Sequence, residues 1–140
     1  RVGIGIMAGA AQAQALIRLN KNEEARAILG EIVGRISSPQ LRALHTLTYA
    51  RLLLDSAQEG DRQKGLVLLS QLAVTTDSAV HDSALFYLGL YHWHNHEVSA
   101  AANYWRQLVA LYDSFDRKGS PWVAKAKEYL ALIGEQGEEN

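Results

Sequence analysis

The chain has 140 residues, 48% of them hydrophobic and 21% charged, with a formal net charge of -1 and no cysteine. That length supports one compact domain with a real core that needs neither disulfide nor metal to fold. The near-neutral balance, with no block of Lys or Arg, excludes nucleic acid as the main partner, and the missing thiols exclude disulfides, thiol catalysis and thiolate zinc sites.

The chain opens on Arg1 rather than Met, so an upstream portion is expected. Residues 2–17 carry no charge, yet they include Gln12 and Gln14. The run is also shorter than the roughly 20 apolar residues a membrane span requires. It reads as a packed helix with no direct membrane span. A signal peptide fits poorly, since Arg1 is the only basic residue before the apolar run and no cleavage pattern follows. Gly3, Gly5 and Gly9 do not make a phosphate loop, because no strand precedes them and no Lys-Ser/Thr follows.

Apolar residues then recur at steps of three and four, and nowhere is there a sustained alternation of two, so the fold class is all-α. The spacing predicts helices over residues 4–19, 22–35, 39–57, 61–74, 78–94, 97–112 and 121–133. Polar breaks separate them at Asn20-Lys21, Ser37-Ser38, Glu59-Gly60, Thr75-Thr76-Asp77, Asn95-His96 and residues 116–119. Connections this short make neighbouring helices antiparallel. The two prolines, Pro39 and Pro121, each follow a serine. A serine N-cap accepts from an orphan backbone N–H, and proline in the first turn gives up no bond the helix would have made. Residues 134–140 are acidic with little to bury, which predicts a flexible tail after a domain over 1–133.

A repeat runs through the even-numbered helices: a small residue, a large apolar one four later, and two adjacent apolar ones three after that. The instances are Ala25, Leu29, Ile32, Val33; Gly65, Leu69, Leu72, Ala73; and Ala101, Trp105, Leu108, Val109. Each set falls on one helical face, and the small member lets the paired backbone approach closely. In the preceding helices the small partners are Ala13, Ala50 and Gly89, the last within Leu85, Leu88, Gly89 and His92. Leu88-Gly89 followed by Ala101 and Trp105 resembles the tetratricopeptide repeat (TPR) family. The small residues in the second helices lie 40 and then 36 apart, against a family period of about 34. The excess falls in the connections, and the second pair fits more loosely.

The resemblance spans residues 6–133. It implies a right-handed solenoid of about three antiparallel helix pairs, with a last helix, bearing Trp122, Ala126, Tyr129 and Ile133 on one side, as the cap. A narrower likeness, through Leu41-Arg42-Ala43, Leu52-Leu53-Leu54-Asp55 and Ala84 with Tyr87-Leu88-Gly89, is to the divergent repeats of membrane-anchored bacterial envelope proteins that accompany the Sec translocon. That likeness implies an upstream anchor and a location on the periplasmic side of the envelope.

A TPR array implies a non-catalytic adaptor or scaffold that holds a peptide or helix of another protein in a concave groove lined by the first helix of each pair. Helical phase nominates Gln14, Ile17 and Arg18; Thr48, Arg51 and Asp55; and Phe86, Leu90, Trp93 and His94 for that groove. Phe86, Leu90 and Trp93 would anchor apolar side chains while Arg18 or Arg51 takes a carboxylate. The competing assignment makes Phe86 and Leu90 core residues of a helix rotated by one position, and makes Arg51 and Asp55 an i, i+4 pair. Oligomerisation, within a larger envelope protein or as a homo-oligomer, is the alternative role.

The run His92-Trp93-His94-Asn95-His96-Glu97 is the one cluster with metal-ligand chemistry. The repeat places Asn95-His96 in a turn, which breaks the face His92 and His96 would share. No cofactor is implied. No serine is marked as a nucleophile beside a base, and the Glu-x-x-His step of carboxylate-bridged metal enzymes is absent.

Overall fold

The computed structural model describes residues 2–113 and 119–139, with side chains from 5–113 and 119–134. Among these are seven α-helices, one 3₁₀ turn and no strand. The order is α1 (Val2–Arg18), α2 (Asn22–Ile32), the 3₁₀ turn (Val33–Arg35), α3 (Pro39–Leu54), α4 (Glu59–Val74), α5 (His81–His94), α6 (Val98–Tyr112) and α7 (Trp122–Glu139). The expected break over 116–118 lies outside the described residues. The chain divides into two compact units, Arg1–Val80 and His81–Asn140, each with its own buried side chains.

In the first unit, α2 folds back on α1, α4 folds back on α3, and α2 packs against α3. The small residues at the crossings are fully buried: Ala13, Ala25 and Ala50 have no exposed surface. Around them lie Leu29, Ile32, Tyr49, Leu52 and Leu53. Gly65 makes the closest approach. A Cβ there would stand 2.8 Å from the Ala50 carbonyl oxygen and 2.9 Å from Leu53 Cβ, so only glycine admits this contact without a backbone shift.

Helix ends follow local chemistry. The Ser38 hydroxyl accepts from Leu41 N (3.4 Å) ahead of Pro39, as expected of an N-cap. The third helix stops at Leu54, three residues before its expected end. There Ser56 turns inward, its hydroxyl donating to Asp61 Oδ2 (2.7 Å) and accepting from Gln58 N (3.1 Å), so its side chain competes with helical bonding. Asp61 also faces Arg26 of α2 at 3.8 Å, and Arg62 donates to the Ser56 carbonyl (2.9 Å). This polar knot is the physical form of the longer connection in the second pair.

In the second unit α6 folds back on α5 and α7 packs on α6. Trp105, Leu85, Leu88 and Leu108 are its largest fully buried side chains. The Trp105 indole lies across Gly89, where any Cβ would overlap its nitrogen, and that nitrogen donates to the Phe86 carbonyl (3.2 Å). Buried His81 shares a hydrogen bond with the Tyr112 hydroxyl (2.7 Å), tying the start of α5 to the end of α6. The Ser120 hydroxyl caps α7 by accepting from Trp122 N (3.1 Å) and donates to Asp82 (2.6 Å). The seventh helix continues to Glu139, past its expected end at 133 and into the stretch expected as a tail. Its Glu and Gln residues favour helix over coil.

The turns of the first and third pairs are alike. Asn20 and His96 both adopt positive φ, 60° and 62°. Each turn closes with the same long bond, Lys21 N to the Leu16 carbonyl and Glu97 N to the His92 carbonyl, both 2.8 Å. Each then starts its second helix with a matching bond, Ala25 N to Lys21 O and Ala101 N to Glu97 O, both 3.1 Å. This αL closure satisfies carbonyls that a helix end would otherwise leave unpaired.

Candidate protein-binding surface

The third helix shows best how a candidate surface is made. Leu47, Tyr49, Ala50, Leu52 and Leu53 are buried, which fixes the rotation of the helix. Turned away from them is a row at alternating steps of three and four: Leu41, Leu44, Thr48, Arg51 and Asp55. Leu41 is 41% exposed and Leu44 48%, while Arg51 and Asp55 are exposed and Thr48 is half-buried. Thr48 donates from Oγ1 to the Leu44 carbonyl (3.3 Å), a local bond between two members of the row. Asp55 caps the helix, its N–H bonding to the Arg51 and Leu53 carbonyls.

The first helix carries a similar row. Gln14 is half-buried and Arg18 exposed, with Met7 58% exposed two turns earlier on the same side. Ile17 instead packs against the core of the first unit, a correction to its nomination for the groove.

In α5 the expectation fails for Phe86. It is 3% exposed, stacked on Trp122 of α7 with ring centroids 4.7 Å apart and edge-on to Tyr129 at 6.2 Å. Phe86 is a core residue and not a groove anchor. Leu90 and Trp93 are half-buried, Trp93 lying against Trp105 (6.0 Å) and edge-on to Tyr129 (5.6 Å). His94 alone of the four is exposed. The cause is α7: the apolar side expected to cap the last pair lays Trp122 and Tyr129 over this face of α5, because large aromatics bury most area where they stack on one another.

The histidines do not converge. His92 Nδ1 stands 3.4 Å from Glu97 Oε1, and its ring stacks on Tyr104 at 5.5 Å and 10°. His94 is exposed, and His96 occupies the αL position of the turn. Among the described residues no three His, Cys, Asp or Glu side chains form a group able to hold a metal ion.

Two features escaped sequence reasoning. Leu41 and Leu44 extend the Thr48-Arg51-Asp55 row towards the start of α3, and the unbroken step of three and four was the signal that pointed to them. The second is an open cleft of about 520 Å³ between the first half of α3 and the second half of α4, lined by Arg42, Thr46, Gln71 and Thr75 among others. Among the described residues no helix is long and apolar enough to cross a membrane. Comparison with family models, curated proteins and solved structures gives no match to this chain.

Proposed function

We propose that the chain is a non-catalytic interaction module, a TPR-like right-handed solenoid whose first helices bind a segment of a partner protein. The repeat is supported by the twelve-residue interval from Ala13 to Ala25 and from Gly89 to Ala101. It is supported too by the shared αL turns at Asn20 and His96. The observation that carries the function is the outward row of α3, where Leu41 and Leu44 stay exposed on a helix otherwise anchored by Ala50 against Gly65. Adjacent exposed leucines on a rigid element mark an interaction surface more often than isolated ones do.

A photo-crosslinking amino acid at position 44 tests this in native extract, with the same group at exposed Val67 of α4 as the control. Adducts to another polypeptide from position 44 and not from 67 are expected. No adduct from 44, in a chain whose circular dichroism is unchanged, removes the α3 face from the account. Self-association is the second reading. It is favoured by Met7 of α1 and Leu19 just past its end, 58% and 66% exposed, on a helix charged only at Arg18, and a concentration-dependent rise in light-scattering mass would support it.

A further inference from the structure

We draw no further inference here: the strongest candidate, the outward row of α3 with its exposed Leu41 and Leu44, belongs to the surface already described, and nothing in the structure shows what covers it.

Discussion

Gly89→Ala is the sharpest probe of the repeat, because two effects of opposite sign meet at one methyl group. Alanine inside a helix gains about 0.8–1 kcal/mol over glycine from backbone propensity alone. Here the new Cβ would overlap the indole nitrogen of Trp105, which has no exposed surface and is stacked on Tyr129 at 4.6 Å. A rigid, fully packed ring cannot yield as the tip of a flexible side chain does, and overpacking of this kind costs about 1–3 kcal/mol. Displacing the ring also breaks the bond from its nitrogen to the Phe86 carbonyl, and a buried donor left unpaired costs about 1–3 kcal/mol more. The net expectation is a loss of about 2–3 kcal/mol despite the better helix former. Tryptophan fluorescence during urea unfolding is a suitable assay, since Trp93, Trp105 and Trp122 all lie in the second unit and report on it alone. Trp105→Phe removes the overlapping part of the ring, so the double variant should recover at least about 1 kcal/mol of the loss in a mutant cycle. A neutral or stabilising Gly89→Ala, or strict additivity with Trp105→Phe, would refute the close-crossing argument.

Three further outcomes are expected. His96→Gly should stabilise by about 0.5–1 kcal/mol, since φ of 62° strains a residue with a Cβ, and a lowered urea midpoint would contradict it. Asp61→Ala should cost about 1–2 kcal/mol by leaving the buried Ser56 hydroxyl without its acceptor and Arg26 without its counter-ion, read as a fall in thermal midpoint by circular dichroism. Leu44→Asp should leave stability within about 0.5 kcal/mol of the parent, because the side chain is 48% exposed; a larger loss would mean that the row is core rather than surface.

The core was legible because it depends on period and residue size alone. Ala25, Leu29, Gly65, Leu69, Ala101 and Trp105 were nominated by spacing and all are buried. Helix starts were legible where a side chain makes the cap, as at Ser38 and Ser120. Ends were harder. The stop of α3 depends on Ser56 reaching Asp61 across the connection, a tertiary bond that no local propensity announces.

The surface was only half legible, for a related reason. Helical phase says which residues share a side but not what else lies on that side, so it ranked Phe86 with Thr48 and Arg51. Arg51 is exposed and Thr48 half-buried, on the side of α3 that also carries the exposed Leu41 and Leu44. Phe86 was lost because Trp122 and Tyr129, which share one side of α7, cover it on α5. An apolar anchor in a repeat of this kind is thus available to a partner only where the chain's own last helix does not reach it. Under the proposed interaction role, the apolar contact then falls on the two exposed leucines of α3 and not on the covered Phe86 of α5.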